Sequence, residues 1–202
     1  MKHNNRNNTF VCGIGINDSN YTLTKEVNGK RVRCNYYQVW KDMLKRCYSD
    51  KYQEKRPTYK GCTVCDEWLS FMSFRKWMMK QDWEGKQLDK DILVMDNKVY
   101  SPETCIFVNQ EINLILVSCE AKRGDWPQGV YYHKSARSFQ SSIRKGNERK
   151  YLGLYDTPEE ASNVYRKEKA LYIYETALQQ EDVILGRALL KHGDMYASKL
   201  IP

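Results

Sequence analysis

Apolar and polar residues alternate over residues 21–36, YTLTKEVNGKRVRCNY, on either side of Asn28-Gly29. An alternating run broken by Asn-Gly predicts a β-hairpin, because this dipeptide accepts the left-handed backbone of a two-residue turn. Over residues 36–48, Val39, Trp40, Met43, Leu44 and Cys47 recur at helical spacing, with Lys41, Lys45 and Arg46 on the other side. That spacing predicts an amphipathic helix, followed by a turn around Arg56-Pro57. Residues 65–79, CDEWLSFMSFRKWMM, predict a second helix whose stripe of Trp68, Phe71, Phe74, Trp77 and Met78 reads as core. Asp66 and Glu67 suit the positive end of its dipole. Residues 88–113, LDKDILVMDNKVYSPETCIFVNQEIN, alternate as a short hairpin, turn polar, and then take up helical spacing toward Asn113.

EAKRGDWPQG, residues 120–129, is a charged break with Pro127 and Gly129, and the pattern beyond it differs. VYYHK, FQSSIRK and KYLGLY predict three short strands, the last two joined by a turn at Gly146-Asn147. A long helix should follow Thr157: the threonine caps, Pro158 takes the first helical position, and Glu160 closes a capping box. A short helix, Val183–Lys191, and a tail are expected at the end, and the Asn-rich residues 1–10 are expected to be loose. The predicted class is α+β. An N-terminal domain takes residues 1–119, a linker 120–127, and a second domain 128–202, in which a small three-stranded antiparallel sheet packs on one helix.

The 202 residues carry a formal charge of +8, which suggests a polyanionic partner. No apolar run approaches the roughly 20 residues of a membrane helix, and MKHNNRNNTF has no apolar signal-peptide core. A cytoplasmic protein with no membrane partner is expected. The 7 cysteines are an odd number, which argues against a complete disulfide framework. Cys62-Thr63-Val64-Cys65 is a CxxC, but zinc needs two further ligands at suitable spacing, so free thiols are the simpler expectation for Cys62 and Cys65.

In the second domain, alternation sends Val130, Ile143 and Leu152 to one face of the sheet. It sends Tyr131, His133, Ser142, Arg144, Arg149 and Tyr151 to the other. The helix must cover the apolar face, because three strands alone bury too little. The exposed face then carries cations and rings with almost no acid, a composition that suits a DNA groove. Gly129-Val130, Leu152-Gly153 and the run Asp156-Thr157-Pro158-Glu159-Glu160-Ala161 resemble the DNA-binding domain of the plant ethylene-response-factor (APETALA-two) type over roughly residues 127–176. The resemblance implies double-stranded DNA contacts by Gln128, Tyr131, His133, Arg144, Arg149 and Tyr151; Lys134, Arg137 and Lys150 join them on charge alone. The plant domains place arginines where this chain has Gln128, Tyr131 and His133, so no target sequence carries over.

In the first domain, strand–loop–strand–helix with Asp89 near the start and Asn113 near the end is the layout of a ββα metal finger. Trp40, Met43, Arg46-Cys47, Glu67-Trp68, Leu88–Asp91, Tyr100–Cys105 and Asn113 resemble phage HNH homing-endonuclease-like proteins over roughly residues 10–118. The resemblance implies a magnesium ion held by Asp89 and Asn113, with a histidine beside the acid as general base. The 3 histidines are His3, His133 and His192, none of them in that span. Lys90 stands where the base is expected, and its ordinary pKa of about 10.4 makes it a poor base near neutrality. Asp91 is a second candidate ligand or weak base.

The expected function is sequence-specific double-stranded DNA binding by a phage or phage-derived protein. A domesticated homing endonuclease acting as a repressor fits a retained reader and a lost base, with no cofactor. The alternatives are an active magnesium-dependent endonuclease or nickase using Asp89, Lys90, Asp91 and Asn113, and an interaction module for an acidic protein. A palindromic target would imply a homodimer.

Overall fold

The computed structural model of the chain describes residues 10–117 and 124–199. The loose segment expected at residues 1–10 lies outside them up to Phe10, as does the linker expected at 120–127 up to Gly124. The chain divides into two compact units, Met1–Val108 and Asn109–Pro202. Among the described residues no helix is long and apolar enough to cross a membrane.

In the first unit, strands β1 (Thr24–Val27) and β2 (Lys30–Arg33) pair antiparallel around Asn28-Gly29. Both turn residues have positive φ, 51° and 70°, the backbone that the dipeptide is suited to. Helix α1 (Asn35–Tyr48) buries Trp40, Met43, Leu44 and Cys47, as the periodicity requires. A short helix α2 (Asp50–Lys55) and a strand β3 (Thr63–Val64) follow.

The single helix expected over 65–79 is two pieces, a 3₁₀ turn at Asp66–Leu69 and helix α3 (Phe71–Met78). The break has a polar cause. Ser70 accepts a hydrogen bond from the Ser73 N–H, and Asp18 accepts from the Ser70 hydroxyl and the Met72 N–H. The Leu69 carbonyl and Phe71 N–H are taken by Ile16, so they cannot continue a helix. The apolar stripe survives because both pieces face one core, in which Trp68 meets Phe74 edge-on at 5.1 Å and the Trp40 indole donates to the Trp68 carbonyl at 2.7 Å.

Strands β4 (Gln87–Asp89) and β6 (Ile106–Val108) form the predicted antiparallel pair. Between them, strand β5 (Val99–Tyr100) leaves the hairpin to pair parallel with β3.

The second unit begins with helix α4 (Gln110–Leu116), capped by the Asn109 side chain. Strands β7 (Val130–His133), β8 (Ser138–Lys145) and β9 (Glu148–Tyr155) form one antiparallel sheet in that order. Helix α5 (Pro158–Leu178) packs across it, and Thr157 and Glu160 form the full capping box. Ile143 of the sheet and Ile173 of α5 are almost wholly buried, worth about 1.5–3 kcal/mol each in apolar transfer. Gly129 is required by this packing: its φ is +79°, and a Cβ there would lie 2.0 Å from the Tyr165 ring of α5.

The last helix, α6 (Val183–Ser198), runs well past Lys191, so the expected tail is helical as far as Ser198. Its extension is fastened by contacts that the weak apolar pattern hides. His192 and Gly193 are buried, and the Tyr174 hydroxyl donates to Asp194 at 2.7 Å.

Candidate nucleic-acid interface

Register decides which strand residues face outward. Directly opposed residues share a face of an antiparallel sheet. Val130 pairs with Ser141, and Ile143 with Lys150, on the side that α5 covers. Tyr131 pairs with Gln140, His133 with Ser138, Ser142 with Tyr151, and Arg144 with Arg149 on the other side. A register shift between Ser141 and Ser142 leaves Leu152 without a partner on β8. Sequence alternation cannot show such a shift, because it is a property of two strands together.

Arg144, Arg149, Tyr131 and Tyr151 are all exposed. Arg149 is nevertheless held in place. Its Nε and Nη2 donate to the Ser142 hydroxyl at 3.0 and 2.9 Å, and its guanidinium sits 4.9 Å from the centre of the Tyr131 ring. Ser142 belongs to the site as a positioning group. Alternation already put it on this face, and counting back from the turn at Gly146-Asn147 puts it beside Arg149.

Arg144 lies directly opposite Arg149, and like charges so placed destabilise a sheet by roughly 0.2–1 kcal/mol. No acid on the strands relieves them. The one strand acid, Glu148, is opposite Lys145 on the helix-facing side.

The remaining candidates differ in their surroundings. Lys134 and Arg137 are exposed in the β7–β8 turn. His133 is exposed and caps that turn, its Nδ1 accepting from the Ala136 N–H at 3.3 Å. Gln128 is half-buried, donating to the Val117 carbonyl and accepting from the Tyr196 hydroxyl, both at 3.3 Å. Lys150, grouped with the others on charge, lies on the helix-facing side, where its ammonium is 2.8 Å from Glu168. Lys150 and Lys145 together hold the Glu168 carboxyl below the usual range. That charge is compensated within the fold.

The candidate catalytic residues sit in a different electrostatic setting. The Asp89 Oδ1 accepts from the Asp91 and Ile92 N–H groups at 2.7 and 2.9 Å, so this carboxylate closes a turn. Burial pushes its pKa above the ordinary aspartate value, against these two hydrogen bonds. Lys90 is buried, ion-paired with Asp91, and donates to the Asn97 carbonyl at 2.6 Å. Its ammonium also lies 5.9 Å from the Tyr100 ring centre. Asn113 is half-buried on α4, in the second unit, whereas Asp89, Lys90 and Asp91 are in the first.

Among the described residues no group of three or more His, Cys, Asp or Glu is placed to hold a metal ion. In the Asp89–Asp91 turn one oxygen of Asp89 is engaged by backbone donors and one of Asp91 by a buried ammonium. Among the described residues Cys62 and Cys65 gain no further ligands of the kind zinc needs. Cys62 is buried and Cys65 half-buried, both as free thiols, while Cys119 lies outside the described residues. Burial pushes the Cys47 and Cys105 thiols up to about 12, so both are inert as nucleophiles near neutral pH.

The chain matches no protein-family model, no curated protein and no solved structure.

Proposed function

We propose that the outward face of the β7–β9 sheet binds double-stranded DNA, and that the chain acts by occupying a duplex site, not by cutting it. The observation that carries this reading is the uncompensated pair Arg144 and Arg149, directly opposed on an exposed face whose strands offer no acid. Such a pair costs stability in the free protein, and a phosphate backbone reverses the sign of that cost. Ser142 and Tyr131 restrain Arg149 before binding, so less side-chain freedom is lost on contact. Tyr131 and Tyr151 add planar groups, and the β7–β8 turn adds Lys134 and Arg137 within reach of a flanking phosphate. The major groove, about 12 Å wide, accepts strands presented in this way.

The resemblance to the APETALA-two type assigns the same face to DNA. The resemblance to HNH phage proteins supplies the rest of the reading: residues 88–113 follow the sequence layout of a ββα finger, with Lys90 where its base is expected. Lys90, buried and ion-paired, supports a structural part for the position where a histidine would work. A promoter- or operator-binding repressor follows as the use of such a chain.

The test is selection of bound duplexes from a random pool, with strand breaks scored in the same tubes in magnesium and in manganese. The expected result is an enriched sequence, intact strands, and a binding constant whose logarithm falls linearly with log salt. Nicks that disappear in Asp89→Ala would overturn the non-cleaving reading in favour of an endonuclease. Salt-independent or absent binding would favour an acidic protein partner instead.

A further inference from the structure

The β1–β2 ribbon in the first unit has no buried face. All eight of its strand residues are exposed, so it contributes almost nothing to the core. Two strands alone are marginal in water, and this pair is kept in shape by three local devices. Asn28-Gly29 supplies the two-residue turn. The Cys34 N–H donates to the Leu23 carbonyl at 2.8 Å and closes the base. Arg33 donates to Gln38 of α1 at 3.1 Å, which ties the second strand to the helix.

What the ribbon carries is charge. Lys25, Lys30, Arg31 and Arg33 stand against the single acid Glu26. Pairing sorts them by face. Glu26 is opposite Arg31, on the face that also holds Thr24 and Arg33. The other face is acid-free: Lys25 is opposite Val32, and Val27 opposite Lys30. Both valines are 40% exposed. Among the described residues, Lys25, Lys30 and Arg31 have no ion pair or side-chain hydrogen bond within the fold.

We propose that this ribbon is a second DNA-contacting element, entering a groove with its Lys25, Val27, Lys30 and Val32 face toward the bases. The inference rests on the DNA-binding reading above. Charge complementarity names the occupant: a narrow ribbon whose acid-free face sets two lysines opposite two exposed valines matches a groove walled by phosphates. A two-stranded ribbon is within the size that the major groove admits. Valine methyls can meet thymine methyls on the groove floor, while the lysines flanking them reach phosphates or guanine acceptors. Arg31 and Arg33, on the outer face, point away from the bases.

The experiment uses the full chain on a duplex obtained by selection, with hydroxyl-radical footprinting and a salt titration. Four proteins are compared: wild type, a ribbon variant (K25A/K30A), a valine variant (V27A/V32A), and a sheet variant (R144A/R149A). All the ribbon changes are at exposed positions, and thermal melting confirms that the variant folds. The expected ribbon variant keeps one protected block, loses a second, and has a salt slope shallower by about 0.9 for each phosphate contact removed. V27A/V32A should lose discrimination between T·A and C·G in that second block while keeping the wild-type slope.

A ribbon variant with the wild-type footprint and slope, while the sheet variant loses binding, overturns this inference and leaves the proposed function standing. A shallower slope with an unchanged footprint, reproduced on heparin, assigns the ribbon to general polyanion attraction and likewise overturns groove entry. A wild-type chain that binds no duplex overturns both.

Discussion

The turn at Asp89–Asp91 and the sheet face at Arg144–Arg149 are both charged, and they differ in where the charge is answered. At the turn every charge has a partner inside the fold: backbone N–H groups for Asp89, and Asp91 and the Asn97 carbonyl for Lys90. On the sheet the only partners of Arg149 among the described residues are a neutral hydroxyl and a ring, and its neighbour across the strand is another arginine. Lys90 is answered inside the fold, and Asp89 only in part, because burial outweighs its two hydrogen bonds. Charges left exposed and opposed cost stability until something outside arrives. The contrast also separates Lys150 from the rest of its predicted group, because Glu168 has already answered it.

The comparison breaks most readily at Lys90. Replacing it with alanine should lower the unfolding free energy by about 2–3 kcal/mol, less than the ~3–5 of a wholly buried pair because Asp91 is half-exposed. Urea denaturation measures this. DNA affinity at equal folded fraction should stay unchanged; a large affinity loss in a fully stable K90A protein would put the working site at the turn.

The double variant R144A/R149A is the mirror image. Duplex affinity should fall about 100-fold, the effect of two lost contacts at ~1–3 kcal/mol apiece taken near the lower end. Stability should hold or rise by a few tenths of a kcal/mol as the like-charge pair is removed. Filter binding and thermal melting, run on one preparation, test both signs together.

The smallest effect sharpens the comparison through pH. Burial raises the folded-state pKa of Asp89 above its unfolded value, so the folded chain binds the proton more tightly. The sign follows from linkage: stability falls as pH rises from the ordinary aspartate range through the raised value, and is regained on acidification. D89N keeps an acceptor for both backbone N–H groups and removes the titration. It should match or slightly exceed wild type at neutral pH, by less than about 1 kcal/mol, and lose that component of the pH dependence. A D89N protein that is strongly destabilised at neutral pH would show that the carboxylate charge itself is needed.

Much of the site was legible along the chain because its signals are local. Alternation in VYYHK and FQSSIRK put Tyr131, Ser142 and Arg144 on one face, and the Gly146-Asn147 turn set the pairing that brings Arg149 opposite Arg144. Lys150 stands on the helix-facing side, a direction that charge alone does not give, and the helix acid that pairs with it lies 18 residues on. The break at Ser70 was hidden for a similar reason. Its cause, Asp18, is 52 residues away in sequence, so no window around the apolar stripe contains it.

By itself the sequence determined the elements that depend on neighbours a few positions away: the Asn-Gly hairpin, the amphipathic helix at Asn35–Tyr48, and the capping box that starts the long helix. It also determined the balance of charge and the absence of a histidine near Asp89. Only the tertiary structure decided which charges are spent. It buried Lys90 against the Asn97 carbonyl and the exposed Asp91, tied Lys145 and Lys150 to Glu168, and left Arg144, Arg149 and the cations of the β1–β2 ribbon facing water. The physical reason is that compensation is set by distance and burial, and both are fixed by packing between segments that are remote in the chain.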